Sequence, residues 1–265
     1  MTPQQLLEHN DSGELWPAAT RESGFLDLPG AYQAALMVRA LRIARGEVPR
    51  GFKIGFTNRT IWQRYNVFAP IWGSVWNTTL TFNEVSGSVS LDRLAQPRIE
   101  PEVVFGIKTT PPANSTLDDL FDSLDWVAPG FEVVQSHLPN WKFTAAETVA
   151  DAGLHGRLHI GQKLPIGELA HGAAQFDLAL ASAQVELRRD GALVESGIGA
   201  NVLDSPLRAL LHFLTELRQC PGAPDLATGD VVTTGTWTDA WPIQPGQTWD
   251  ARFSTVLPRH HVTFS

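Results

Sequence analysis

Arg98-Ile99-Glu100-Pro101-Glu102-Val103-Val104-Phe105-Gly106-Ile107 sets two carboxylates one residue apart at the head of an apolar, β-branched run. In a strand, alternate residues share a face, so Glu100 and Glu102 point the same way. Pro101 lacks an N–H and holds Glu100 in extended geometry, which suits a strand start or an edge. Two anions on an otherwise apolar strand repel, and burying them is costly unless positive charge is near. A hard divalent cation with oxygen ligands removes that conflict. Further on, Val127-Ala128-Pro129-Gly130-Phe131-Glu132-Val133-Val134 sets a single Glu in another apolar run. Three carboxylates from two strands suit Mg²⁺ or Mn²⁺, with positions open for water and a chelating substrate. The same spacing also fits three surface glutamates on edge strands.

Working outward, Gly51-Phe52-Lys53-Ile54-Gly55-Phe56-Thr57 is a short apolar strand with a lysine inside it. Such a lysine either lays its stem on the surface or faces a buried anion. The flanking glycines permit close approach of a backbone or ligand and favour the second. Ile61 to Trp76 carries Trp62, Tyr65, Phe68, Trp72 and Trp76, aromatic area that suits a core, a subunit interface or the wall of an apolar pocket. Pro70 and Gly73 mark this stretch as a loop-like join.

Helix signals recur along the chain. Leu28-Pro29-Gly30 reads as a turn before a helix over Ala31–Arg45, whose Arg39, Arg42 and Arg45 read as solvated charges. Thr116 with Asp119, and Thr144 with Glu147, read as helix starts. Ser205-Pro206 opens a helix with Leu207, Leu210, Leu211, Leu214 and Leu217 on its core face. Strand-like pieces surround Ser86-Gly87-Ser88, Asp190-Gly191 turns a hairpin, and Val231–Thr238 reads as a β-branched strand. Gly197-Ile198-Gly199-Ala200-Asn201 does not open a helix directly and is no dinucleotide fingerprint.

At 265 residues, 43% hydrophobic and 18% charged, the chain has the makings of a globular protein with a sizeable core. Its net charge of −8 argues against nucleic acid or an anionic membrane as the main partner. The lone Cys220 leaves no internal disulfide and no thiolate zinc site. The start, Met1-Thr2-Pro3-Gln4-Gln5, is polar, and no apolar run is long enough to span a membrane. The expected location is cytoplasmic.

Several segments, in this order and spacing, resemble the fumarylacetoacetate hydrolase superfamily: Gly51–Thr57, Ile99-Glu100-Pro101-Glu102-Val103, Pro129-Gly130-Phe131-Glu132-Val133, Val149-Ala150-Asp151, Gly197–Leu207 and Gly229–Gly235. Within it the chain is most similar to the branch of 2-oxopent-4-enoate (2-hydroxypentadienoate) hydratases and 4-oxalocrotonate decarboxylases. The resemblance implies an α+β fold: a β-rich mixed roll of that family's C-terminal-domain type with a smaller N-terminal α/β part. Residues 1–80 would form the N-terminal part and 81–265 the catalytic roll, or the two would count as one domain. It implies Mg²⁺ (or Mn²⁺) held by Glu100, Glu102 and Glu132, with Lys53 as the family's strand lysine, facing substrate oxygens or moving a proton. Asp151 is the other catalytic candidate.

The implied substrate is a small 2-oxo or 2-hydroxydienoic acid of aromatic catabolism. The implied assembly is a homo-oligomer, with association to a paralogous pathway enzyme as a further expectation. Where the branch commonly has Asp-Ser-Arg and Ala-Asp-Asn, this chain has Gln135-Ser136-His137 and Ala150-Asp151-Ala152. A fixed positive charge is therefore replaced by a histidine, which favours hydration of a monoanion over decarboxylation of a dianion. The other readings are a 2-oxo acid decarboxylase, an acylpyruvate carbon–carbon hydrolase and a catalytically silent partner subunit. The hydrolase usually relies on an added Glu–His pair, and His9 is the lone histidine before the Glu-bearing strands.

Overall fold

The computed structural model describes residues 1–18, 27–82, 87–254 and 257–265; Ser86 lies outside them. Its strands are β1 (Pro49–Gly55), β2 (Ile71–Trp76), β3 (Leu80–Phe82), β4 (Gly87–Val89), β5 (Arg98–Ile107), β6 (Leu124–Val134) and β7 (His155–Ile160). They continue with β8 (Leu164–Pro165), β9 (Gln184–Arg189), β10 (Ala192–Ile198), β11 (Val231–Thr233), β12 (Trp241–Pro242), β13 (Thr248–Phe253) and β14 (His260–Phe264). Among the described residues they make two mixed sheets. The larger runs β2-β1-β11-β5-β6-β7-β3, with β12 on β5 and β8 on β6; the smaller runs β10-β9-β13-β14-β4. The architecture is α+β and β-rich, as the resemblance implied. The boundary at residue 80 falls on the first residue of β3, and β1 and β2 belong to the same sheet as β5 and β6.

The Pro206–Gln219 helix is capped by the Ser205 side chain and begins on Pro206, where a missing N–H costs nothing. It buries Leu207, Leu210, Phe213, Leu214 and Leu217 in the main core with Phe52, Val103 and Phe105 of the large sheet. Each such side chain contributes about 1.5–3 kcal/mol by leaving water. The Leu28–Ala44 helix packs with the Pro3–Ser12 and Ala145–Ala150 helices around a second cluster that includes Ala31, Ala34, Ile71 and Leu138. The Thr116 and Thr144 caps form full capping boxes. The Asp190-Gly191 turn has both residues at positive φ, 51° and 85°, the geometry of the tightest hairpins.

Four expectations need correction. The Leu28–Ala44 helix starts three residues early, because Asp27 caps it and Pro29 fits a first turn that needs no N–H there. Arg42 is buried rather than solvated, bonded to Glu47 and Asn10 with its guanidinium over Trp76. The stretch before Trp76 is no mere join: Ile71–Trp76 is a buried strand antiparallel to β1. The strand from Val231 stops at Thr233, two residues before Gly235 takes φ +103°, a conformation outside the extended range a strand needs.

Candidate active site

β5 and β6 pair antiparallel with Glu100 directly opposite Glu132 and Glu102 opposite Gly130. The alternation along β5 and this register together gather the carboxylates on one face. One oxygen from each of Glu100, Glu102 and Glu132 lies within 4.8 Å of the others. β11 sits between β5 and β1 and pairs Thr233 with Lys53. That approach requires Gly51, at φ +130°, where a Cβ would fall 1.9 Å from the Val231 carbonyl oxygen. Lys53 is only 3% exposed, and its Nζ lies 3.0 Å from Glu132 Oε2. The buried-cation reading of Lys53 is the one the fold adopts.

Each buried carboxylate has its own supports. Glu102 Oε2 accepts from the Gly235 N–H at 2.7 Å and from the Thr233 hydroxyl. Glu132 Oε1 accepts from His155 Nδ1 at 2.8 Å, which leaves His155 Nε2 to accept from the Thr79 hydroxyl at 2.8 Å. Such a histidine, held on both nitrogens, fixes the orientation of the carboxylate it touches. Glu102 Oε1 is buried and has no hydrogen-bond partner.

The electrostatics follow from burial and crowding. Burial pushes Glu100 up to about 7, with Lys53 pulling down and Glu132 pushing up. Burial, then Glu132 and Glu100, hold Glu102 well above the usual carboxylate range. Burial alone would raise Glu132 too, but Lys53 and His155 outweigh it and hold it down. Burial would lower Lys53, yet Glu132, Glu100 and Glu102 together keep it above its ordinary value. With Lys53 as the one nearby cation among these four groups, the cluster remains short of positive charge. An orphaned, buried carboxylate oxygen in an all-oxygen donor set fits a hard divalent cation.

A cavity of ≈ 190 Å³ opens beside the cluster, lined by Lys53, Glu100, Phe56, Tyr65, Trp141 and Phe143 among others. Asp151 is not one of its lining residues. It is 4% exposed, accepts from the His137 N–H at 2.9 Å, and lies 2.5 Å from His137 Nδ1. The two loops that depart from the branch pattern therefore bind each other, and His137 Nε2 is buried without a partner. From the sequence, Ala150–Gly156 reads as a loop carrying an acid and a histidine, a pair that is either a loop hydrogen bond or functional; the structure instead joins Asp151 to His137 and His155 to Glu132. Sequence reasoning missed Thr79 and the roles of Thr233 and Gly235: the last two stand inside a recognised motif, whereas a threonine in a turn carries no local signal.

No protein-family model matches the chain. It is 29% identical over 248 residues to a 2-hydroxyhexa-2,4-dienoate hydratase of Comamonas testosteroni, covering 93% of this chain and 90% of that one. Its fold superposes on the 4-oxalocrotonate decarboxylase of Pseudomonas putida G7, solved with magnesium and adipate, at TM-score 0.85 and 25% identity, over 100% of this chain and 99% of that one. The fumarylpyruvate hydrolase of Pseudomonas aeruginosa, solved with Mn²⁺ and pyruvate, shares the fold at TM-score 0.60 and 14% identity, over 82% and 89%. Sequence likeness to a dienoate hydratase and near-complete structural overlap with a 4-oxalocrotonate decarboxylase point the same way: the chain is similar to the hydratase and decarboxylase branch of the fumarylacetoacetate hydrolase superfamily.

Proposed function

We propose that this protein is a divalent-metal-dependent hydratase of 2-oxopent-4-enoate or 2-hydroxydienoate type acids, with Mg²⁺ or Mn²⁺ held by Glu100, Glu102 and Glu132. The observation that carries the proposal is a buried lysine set 3.0 Å from one of three converging carboxylates, beside a cavity that both Lys53 and Glu100 line. When bound, the cation supplies Lewis-acid polarisation of the substrate's 2-oxo group. Residues 1–80 supply Lys53 and residues 81–265 the carboxylates, so both parts act as one catalytic unit.

Glu102 is held by Thr233 and Gly235, and Glu132 by His155, so the ligand oxygens need little reorganisation. Lys53 carries a proton in this anionic surrounding and donates it from Nζ to the distal carbon of the dienol, while the enol hydroxyl gives up its proton to solvent, which restores Lys53, and the 2-oxo form appears. Water then adds its oxygen at the neighbouring carbon and loses one proton, and one proton is taken up at the carbon nearer the carbonyl. The net change is one water added across one double bond. Asp151 acts from a distance by orienting His137. The aromatic walls keep bulk water from the conjugated chain.

Decarboxylation is the second reading, favoured by Arg64, a cation on the cavity lining that could meet a distal carboxylate. The carbon–carbon hydrolase has less support, since no histidine is among the described lining residues. Turnover of 2-hydroxypenta-2,4-dienoate with Mg²⁺ in ¹⁸O-labelled water tests the proposal. One labelled oxygen at the new hydroxyl is expected. Stoichiometric carbon dioxide from a dicarboxylic 2-oxo acid, with no hydration of the monoacid, would overturn it. A homo-oligomeric, cytoplasmic enzyme completes the proposal; sedimentation as a monomer at micromolar concentration would contradict the assembly.

A further inference from the structure

A second cavity, of ≈ 250 Å³, opens where the ends of the Pro3–Ser12 and Leu28–Ala44 helices meet the start of β7. Four arginines line it, Arg42, Arg45, Arg93 and Arg157, against two carboxylates, Asp11 and Glu47. Both carboxylates are already engaged: Arg42 bonds Glu47 at 2.9 Å, and Arg45 bonds Glu47 and Asp11. Those charges balance, which leaves Arg93 and Arg157. Arg157 is half-buried and reaches only carbonyl oxygens, those of Gly156 at 3.0 Å and Asp92 at 3.4 Å. Burial, then the like charge of Arg42, lowers its pKa, as for a cation short of an anion. Arg93 has only Asp92, 3.9 Å away, with the two side chains 73% and 83% exposed, a pairing that holds little. Asn10 also lines the cavity. Its Oδ1 accepts from Arg42 at 3.0 Å, while its Nδ2 is buried without a hydrogen-bond partner among the described residues.

We infer that this cavity is an anion site, separate from the carboxylate cluster, for a compact dianion of the sulfate or phosphate type, held by Arg157 and Arg93 with the Asn10 amide as a neutral donor. Two guanidinium groups without a firm counter-charge match two negative charges. The planar fork of an arginine sets two N–H donors against two oxygens of such an ion. Arg42 lies over the Trp76 ring, 4.7 Å from its centroid, and with Arg45 clamps Glu47, so one wall is fixed before an ion enters. The cavity also touches the support of the metal centre. Thr79 lines it, the Thr79 hydroxyl lies 2.8 Å from His155 Nε2, and His155 Nδ1 bonds Glu132 at 2.8 Å. An anion on one side of this relay and a cation at the carboxylates attract through the protein interior, so each tightens the other. That link rests on the metal reading of Glu100, Glu102 and Glu132; the anion site does not.

The test reads binding apart from turnover. Calorimetry titrates sulfate into the Mg²⁺-loaded protein at constant ionic strength, and then Mn²⁺ into the protein with and without sulfate. The wild type should bind one sulfate per chain. Arg157→Gln should weaken it by about tenfold or more, the scale of a hydrogen bond to a charged group. Arg93→Gln should weaken it by a few-fold, as for an exposed ion pair, and keeps the test alive if the first variant fails to fold. Glycerol 3-phosphate in place of sulfate separates the two sources of such an anion: tighter binding points to a phosphate carried on a larger molecule, weaker binding to the free ion. Sulfate should tighten Mn²⁺ by about fivefold in the wild type, at the low end of couplings between sites, and not in Arg157→Gln. No sulfate bound by the wild type, or equal binding by both variants, would overturn the site. Sulfate that binds and leaves Mn²⁺ affinity unmoved would overturn the link. A protein that binds sulfate but no metal would sink the metal reading and leave the anion site standing.

Discussion

Glu102→Gln should stabilise the metal-free protein while abolishing its response to metal. Glu102 Oε2 already takes both protein hydrogen bonds, from Thr233 and Gly235, and Oε1 has none. A glutamine fits that geometry with its carbonyl in the Oε2 position and its NH₂ in place of Oε1, facing the other two carboxylates within 4.8 Å. The substitution thus keeps both existing bonds and turns a repulsive contact into two donors. One like-charge pair at that separation costs about 3 kcal/mol at an effective dielectric constant near 20. Partial protonation of the crowded carboxylates reduces the recoverable part to about 2 kcal/mol. For a chain of this size that is a rise of roughly 5 °C in the metal-free melting temperature. Saturating metal, at about 100 times its dissociation constant, stabilises a binding-competent protein by about 2.7 kcal/mol, a further shift of similar size. The assay is thermal unfolding of both proteins in chelator and in Mn²⁺. The wild type should shift upwards with Mn²⁺ and the variant should not. A variant that melts below the wild type in chelator, or that keeps the Mn²⁺ shift, would refute the argument.

The other predictions concern the groups around this cluster and one pair far from it. Lys53→Met should lower turnover by roughly a hundredfold or more, the scale of a lost proton donor. Its Mn²⁺ affinity by calorimetry should not weaken, because Lys53 competes with a cation for the same carboxylates; normal turnover would remove Lys53 from the chemistry. His155→Phe should weaken Mn²⁺ binding by about 10–100-fold, as expected when a ligand loses its orienting partner, with the decline measured by the same titration. His159 and His260 stack in the interior, with burial, then the neighbouring histidines, lowering them to about 4 and about 3. Their folded values lie below the unfolded 6.5, so the stability they permit is fully present above that pH and is lost as pH falls towards 4 and 3. Between pH 7 and pH 5 each ring should cost roughly 2 kcal/mol of unfolding free energy. His260→Phe should remove about half of that difference in urea titrations at the two pH values, the Asp250 and His261 side chains being unchanged.

Some of this protein is decided by local chemistry. Alternation along Arg98–Ile107 puts Glu100 and Glu102 on one face whatever lies beside them. The Thr116, Thr144 and Ser205 caps and the Asp190-Gly191 turn are settled within a few residues, because their hydrogen bonds close within a few residues. Even so, the start of the Leu28–Ala44 helix was misplaced, since proline and glycine there read as a turn until Asp27 is seen to cap it. The aromatic stretch after Ile61 divides in a way that composition does not reveal. Trp72 and Trp76 are spent in the core, while Tyr65 faces the cavity and Phe68 is 76% exposed.

What only the tertiary structure decided is which distant groups meet. The β5–β6 register brings Glu132 opposite Glu100, and a one-residue slip would have turned it to the other face. Whether Lys53 is a surface stem or a buried partner depends on β11 lying between β1 and β5, which pairing across the sheet determines and local sequence does not. His155, Thr79 and the His137–Asp151 pair are joined by hydrogen bonds between elements 14 to 76 residues apart. A side chain's partner at such separations is set by sheet order and packing, so the strand that carries a ligand was legible in the sequence, whereas the groups that hold the ligand in place were not.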